Sequence, residues 1–386
     1  MRVLILNPPG RETYLRDQYC GGTTTKANYY WHPLDLLLQS GVIASEHEIK
    51  IIDAIAENLD YAETMRQIDS FHPEAIYSLS SIISLEEDLA FFRDCKKRYD
   101  CKIIVSGDVF YFNPDEMIWE ECIDAILLNY TSDEILDYLR GEKKVGNMTY
   151  KEKGKITKGE RVNCRNFSYP VPTHELFPMK KYNMPFMKTS PIMSIISSTG
   201  CPFKCCFCPL SQVDYKERDL SNLFEELDYL HKIGVRDLEF RDPTFAVNIE
   251  RAKRICQKMK DYSFNWFCSN RVDRIDEELL VLMKESGCHL MTLGVESGSE
   301  KMLKEGNKNI DKKGIKEIFH LCKKHKIKTL AHFIYGFPND SLETVKETMD
   351  FALELESDYI SLNMYAPRHG SIWGGEYLTK YKKEGK

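Results

Sequence analysis

No hydrophobic run in the 386-residue sequence is long enough to cross a membrane. The apolar burst that opens it, in MRVLILNPPG, stops at Pro8-Pro9, too short for a signal-peptide core, and reads as a buried strand. Basic residues are not in excess. The 53 Lys and Arg against 59 Asp and Glu leave a net charge of −6, which gives no nucleic-acid-binding face. Structural zinc lacks its usual pattern, because neither two Cys-x2-Cys knuckles nor a knuckle with paired histidines is present. Thirteen cysteines without an export signal point to a reducing, cytoplasmic setting. The scattered ones (Cys20, Cys95, Cys101, Cys122, Cys164, Cys256, Cys268, Cys288 and Cys322) read as small buried apolar residues. Length predicts two domains or three, and an apolar share of 42% is ample for their cores.

What is present is one dense run, Cys201-Pro-Phe-Lys-Cys205-Cys206-Phe207-Cys208, just after the apolar stretch Ile192–Ile196. Read as C-x3-C-x2-C, it offers three thiolates, the soft ligands an iron–sulfur cube takes. Gly200 and Pro202 suit the tight loop that would gather them. No fourth cysteine falls at a matching offset, so one iron of such a cube stays open. Structural zinc and a group of buried thiols are the competing readings. With an aromatic, Phe207, before the last cysteine, the run resembles that of the radical S-adenosylmethionine (SAM) enzymes. The resemblance implies a [4Fe-4S] cluster on Cys201, Cys205 and Cys208, whose open iron chelates SAM. It also implies an external one-electron reductant of the flavodoxin or ferredoxin type, and cleavage of SAM to methionine and a 5′-deoxyadenosyl radical. Cys206 reads as a packing residue.

The first domain, residues 1–140, alternates strands and helices: Val3–Asn7, a helix near Pro33–Ala44, Ile49–Ile52, a helix near Tyr61–Ser70, and Ala75–Leu79. Then come a helix over Leu85–Tyr99, Lys102–Val105, a helix over Pro114–Glu121, Ala125–Leu128 and a helix over Ser132–Leu139. This is an α/β pattern, a doubly wound, Rossmann-like parallel sheet whose ligands sit at the strand C-termini. Leu6-Asn7-Pro8-Pro9, His32-Pro33-Leu34 and His47 to Ala54 resemble the N-terminal cobalamin-binding domain of one radical SAM class. That class often lacks the D-x-H-x-x-G motif, as this chain does. The resemblance implies corrin contacts at Pro8, Pro9, Ser80, Ser81, Gly107 and Asn129. Two loops depart from its pattern: Ser106-Gly107-Asp108 stands for Gly-Gly-His, and Asn129 to Ser132 for Gly-Glu-Gly-Glu. The long loop Gly10–Trp31 reads either as a lid or as a mobile surface loop.

Residues 141–190 read as a linker, with a surface hairpin (Gly146–Tyr150 against Lys155–Thr157) and a proline-rich strap over the second domain. From 191 to 386 a strand–helix unit recurs six times. Strands are expected at Met193–Ser197, Asp237–Arg241, Asn265–Ser269, Met291–Val295, Thr329–Tyr335 and Tyr359–Met364. Helices are expected at Leu220–Ile233, Ile249–Tyr262, Asp276–Ser286, Lys312–His325 and Leu342–Leu355. Six units imply an open (β/α)6 partial TIM barrel with its chemistry at the strand C-termini.

Those ends resemble the radical SAM signatures in order. The resemblance implies that Asp242 receives the SAM ammonium, Arg271 its carboxylate, and Ser269 or Asn270 its ribose. It further implies SAM contacts at Phe207, Gly294, Glu296, Ser297 and Gly336. Tyr335 and His369 are the candidate catalytic residues. His332, Asn363, Tyr365 and Arg368 are expected at the barrel mouth as substrate contacts, a core imidazole being the other reading of His332. Asn248 reads as completing the Asp242 signature or as a helix cap.

The function implied is a cobalamin-binding radical SAM methyltransferase acting on an unactivated carbon or phosphorus of a small molecule or of a peptide or protein. A radical rearrangement, cyclisation or oxidation is the alternative within the class. A non-catalytic iron–sulfur sensor or scaffold is the alternative outside it.

Overall fold

The computed structural model describes residues 1–19, 21–23, 29–162 and 164–375. Contacts divide the chain into two units, Met1–Pro185 with Pro191–Met193, and Phe186–Ser190 with the chain from Ser194 on.

The first unit is built on a seven-stranded sheet. Its order is Glu48–Asp53, Arg2–Asn7, Ala75–Leu79, Lys102–Ser106, Ala125–Leu127, Met148–Glu152, Lys155–Lys158. The first five strands are parallel, with Leu6 opposite Ile52 on one side and Ser78 on the other. Val3 to Leu6 have no exposed surface, as expected of a central strand covered on both faces. Helix Leu34–Ala44 is buried from Leu34 to Ile43, whereas Tyr61–Phe71 buries only Thr64, Met65 and Ile68. The strand order reverses between Arg2–Asn7 and Ala75–Leu79, the switch point where doubly wound folds place ligands.

Four expectations for this unit change. The hairpin assigned to the linker pairs antiparallel with Ala125–Leu127 and extends the first sheet, burying Met148 and Tyr150. The strap is pinned to the first unit as far as Pro185. Thr173 N donates to Ser40 Oγ (2.9 Å), Tyr30 and Asn183 exchange backbone bonds, and the Tyr182 hydroxyl donates to the buried Asp53 (2.8 Å). The helix expected over Pro114–Glu121 ends at Met117, and an unexpected short helix, Asp108–Phe112, precedes it, the two separated at Asn113, which Pro114 holds out of helical geometry. Cys164 is exposed, Cys20 lies outside the described residues, and the other scattered cysteines are buried.

The second sheet has six strands in strict chain order: Ile192–Ile195, Asp237–Phe240, Asn265–Asn270, Cys288–Glu296, Lys328–Tyr335, Tyr359–Met364. Every pairing from Asp237 onward is parallel. Between the strands run helices Leu220–Lys232, Ile249–Met259, Glu277–Glu285, Lys312–Lys324 and Leu342–Glu354. A short helix over Glu300–Glu305 was not expected. Asn248 resolves as a cap: its side chain accepts from Arg251 N at 3.2 Å. No helix among the described residues is long and apolar enough to cross a membrane.

Candidate active site

The cysteine loop follows the first strand of the second unit. Its entry needs Gly200, which has φ +69 and whose Cβ would stand 2.0 Å from the Asp214 carbonyl oxygen. The loop is knit by Cys208 N to Cys205 O (3.1 Å), Cys201 N to Val213 O (3.3 Å), Lys204 Nζ to Ser211 O (2.6 Å) and Asn307 Nδ2 to Lys204 O (2.8 Å). Cys206 turns to the backbone, where its N donates to Gly306 O and its carbonyl accepts from Trp373 N. Phe207 packs against Phe337, with ring centroids 5.3 Å apart.

Cys201, Cys205 and Cys208 line one cavity of about 400 Å³ at the strand C-termini. Phe207, Ser269, Asn270, Arg271, Gly294 and Glu296 line it too. Glu296 has φ +71, at a register shift against the next strand. Such an irregularity at a strand end re-aims a side chain, and here the carboxylate enters the cavity. Gly294 makes room for it, since a Cβ there would lie 2.4 Å from Glu296 Oε1.

Sequence reasoning missed Lys308, whose buried ammonium donates to Glu296 Oε1 at 2.8 Å. No motif marks it, because it follows the unexpected short helix. Of the two readings of His332, the barrel mouth is the one the structure matches: the half-buried residue lines the cavity, its pKa lowered by burial. Asn363, Tyr365 and Arg368 line the cavity as well.

Other expected residues lie elsewhere. Asp242 does not line the cavity. Its carboxylate accepts from Ser197 N (2.7 Å), Ser197 Oγ (2.5 Å) and Ser198 Oγ (2.7 Å), bracing the strand end before the cysteine loop. Burial pushes it up to about 6 against these bonds. Ser297 shares a hydrogen bond with Thr348 (2.9 Å) and accepts from Ser299 N. Gly336 N donates to Asp340, Tyr335 O accepts from Tyr365 N, and neither Tyr335 nor His369 lines the cavity.

The donor set suits an iron–sulfur cluster. Burial pushes all three thiols up, Cys208 to about 12, so a metal that binds them as thiolates would displace their protons. Among the described residues no three His, Cys, Asp or Glu side chains converge on one ion. In a cube each thiolate takes its own iron, so the three need not converge on one ion. For SAM the fit rests on Asn270. Its Oδ1 accepts from Ala246 N, but its buried Nδ2 has no partner and belongs to a cavity-lining side chain. An orphaned amide donor costs about 1–3 kcal/mol, which a ligand acceptor would relieve.

The corrin positions are closed by the chain itself. Arg16 is fully buried against Asp88 (2.6 Å), and its Nη1 donates to Asn7 Oδ1 and Pro8 O, both at 2.9 Å. Ser80 Oγ donates to Asp88 (2.6 Å) and Ser81 Oγ to Asp108 (3.0 Å). Gly107 N donates to Gln18 Oε1, Asn129 Oδ1 accepts from Thr131, and Pro9 is half-buried beside them. The nearby cavity, lined by Asn7, Arg16 and Asp53, is about 10 Å³. The polar groups suit a corrin's amide edge, but in this conformation the segment Tyr14–Gln18 engages them. The first part of the Gly10–Trp31 loop therefore packs over these strand ends instead of standing free at the surface. Arg16 is its anchor, unnoticed in the sequence because it sits in no motif.

Comparison with known proteins agrees with this geometry. The model of the radical SAM superfamily matches residues 195–352. An uncharacterised methyltransferase of Pyrococcus horikoshii is 30% identical over 97% of this chain and 82% of its own length. The anaerobic magnesium-protoporphyrin IX monomethyl ester cyclase of Rubrivivax gelatinosus is 33% identical over 44% of this chain, which spans only 32% of that enzyme. Among solved structures, the radical SAM methyltransferase TsrM from Kitasatospora setae, with cobalamin and a [4Fe-4S] cluster bound, superimposes with TM-score 0.78 at 15% identity. That match covers 98% of this chain and 78% of TsrM. The cobalamin-dependent radical enzyme OxsB, with aqua-cobalamin and SAM bound, gives 0.75 at 15% identity, this chain spanning 61% of it. At these identities the structural likeness is one of fold. A relative matched along nearly the whole chain, and a cavity that gathers the three cysteines with the strand-end polar groups, lead to one assignment: the chain belongs to the radical SAM superfamily.

Proposed function

We propose that this protein is a cobalamin-dependent radical SAM methyltransferase acting on a small molecule in the cytoplasm. The observation that carries the reading is the single cavity in which Cys201, Cys205 and Cys208 face Asn270, Glu296 and Lys308. The methyltransferase part is supported by the Pyrococcus relative and by the fold shared with TsrM and OxsB along both units. When bound, the cluster and SAM supply one-electron cleavage to a 5′-deoxyadenosyl radical, and the corrinoid supplies a transferable methyl group. The electron comes from an external one-electron carrier of the flavodoxin or ferredoxin class.

The chain's own residues would divide the rest of the work. The three thiolates hold three irons and leave the fourth open. Asn270 Nδ2 donates to an acceptor on SAM, and Glu296 accepts from one of its donors. Lys308 neutralises whichever carboxylate, its partner's or SAM's, lies nearest. Pro243, Leu210 and Ile334 give the wall an apolar share that excludes water from a radical intermediate. His332, Asn363, Tyr365 and Arg368 supply the polar contacts that orient a substrate.

The test is the iron and corrin content of chain purified anaerobically from cobalamin-fed cells, followed by incubation with reductant and methyl-labelled SAM. About four irons, the complement of one cube, with near-stoichiometric corrin and labelled product supports the reading. Iron and deoxyadenosine formation without corrin would put non-methylating radical chemistry in its place, in keeping with the partial match to the Rubrivivax cyclase. Failure to cleave SAM after cluster assembly would leave a sensor or scaffold.

A further inference from the structure

Arg271 stands at the end of the strand Asn265–Asn270 and is 6% exposed. The sequence reading gave it the SAM carboxylate, yet its guanidinium is turned to the chain. Nε and Nη2 bind the two carboxylate oxygens of Asp273 at 2.9 and 3.2 Å, and Nη2 also donates to the Lys308 carbonyl at 2.8 Å. Its plane lies over the Phe203 ring, 4.0 Å from the centroid, and Arg274 approaches the same ring at 5.1 Å. The remaining nitrogen, Nη1, donates to Cys205 Sγ at 3.5 Å. One buried cation therefore ties the cysteine loop, through Phe203 and Cys205, to the end of the Asn265–Asn270 strand and to the loop at Lys308.

We infer that Arg271 is a positioning residue that fixes Cys205 and sets how readily the cluster accepts its electron. The inference rests on the reading that Cys205 ligates the cluster, its Sγ here standing in for the iron-bound thiolate. Hydrogen bonds to cluster sulfurs and nearby charge are among the terms that set iron–sulfur potentials. Reduction adds one electron, from the external carrier, to the cluster. The guanidinium stays protonated and passes on no proton. An N–H and a positive charge at the thiolate favour the more negative, reduced state, so Arg271 moves the potential upward. Asp273 opposes this by neutralising the guanidinium, so the two residues act with opposite sign.

The experiment is an electron-paramagnetic-resonance redox titration of the reconstituted full-length chain, with iron per chain measured alongside. The variants are Arg271→Gln, Arg271→Lys and Asp273→Asn. Arg271→Gln is expected to keep its iron and become about tenfold harder to reduce, about 59 mV for a one-electron couple. Arg271→Lys, which retains charge but not the fork, falls between it and the parent. Asp273→Asn shifts the other way, to easier reduction, which a residue that merely holds the loop would not produce. An Arg271→Gln protein with full iron and the parent's potential overturns the inference. If that variant does not load iron, Asp273→Asn decides, an upward shift supporting the inference and an unchanged potential overturning it. A parent chain that assembles no cluster would overturn the cluster reading itself, a result distinct from a loaded parent matched by its variants.

Discussion

Lys308 Nζ lies 2.8 Å from Glu296 Oε1, with side chains only 6% and 11% exposed, in the cavity the cysteines share. A pair this deep is held by mutual neutralisation, and removing one member strands the other's charge. Lys308→Met should lower unfolding free energy by about 3 kcal/mol in denaturant titrations. The double variant Lys308→Met/Glu296→Gln should regain most of that. If Glu296 contacts SAM, the double variant will still bind it roughly tenfold more weakly, the worth of one charge-assisted hydrogen bond. Equal SAM affinity in the parent and the double variant would remove both residues from the ligand site.

Cys205 and Cys206 are adjacent but should not be equivalent. Cys205→Ala is expected to abolish cluster absorbance and SAM cleavage. Cys206→Ser should retain both, since Cys206 engages the loop through its backbone N and O. Iron analysis of the two purified variants checks this, and loss of iron from Cys206→Ser would redraw the ligand set.

Asp242 carries a pH dependence. Its folded pKa, about 6, is above the unfolded value near 3.8. The protonated carboxyl is therefore favoured by folding, and the associated stability is full below pH 4 and lost as pH rises through 6. The shift of about two units corresponds to roughly 3 kcal/mol. The stability advantage of the parent over Asp242→Asn should shrink by about that much between pH 4 and pH 7. A constant difference across that range would show that Asp242 is not perturbed.

Corrin binding should release the Tyr14–Gln18 segment. The amides of Gly107 and Asp108 are held by Gln18 and Asp17, so added hydroxocobalamin should alter hydrogen exchange at 14–18 and 107–108 before anywhere else in the first unit. Bound corrin with unchanged exchange there would place it on a surface other than these strand ends.

The parallel strands were legible in number and order, because strands buried on both faces leave short apolar runs between helical periods, though Met291–Val295 was expected where Cys288–Glu296 is found. Ala75–Leu79 and Tyr359–Met364 match their expected bounds. The hairpin Met148–Lys158 was misplaced because its charged, Gly-punctuated composition resembles a linker, while its pairing partner lies upstream at Ala125–Leu127. In the site, residues within a spaced motif were found and those defined only by packing were not. Lys308 and Arg16 each sit in polar loops with nothing local to mark them. Asp242 shows the converse: its motif was legible, but three donors from Ser197 and Ser198, 45 and 44 residues away, could not be.

The strict chain order of the second sheet has a consequence for biosynthesis. Cavity-lining residues run from Cys201 to Arg368, so the thiols leave the ribosome first and their far wall last. At about 5–20 residues per second, roughly 10–30 s separate the two. During that interval the nascent loop is open to oxidants and to stray metal ions. Loading of iron is thereby best timed to the emergence of Tyr359–Met364 and the residues up to Arg368, which complete the cavity around thiols that have been kept reduced.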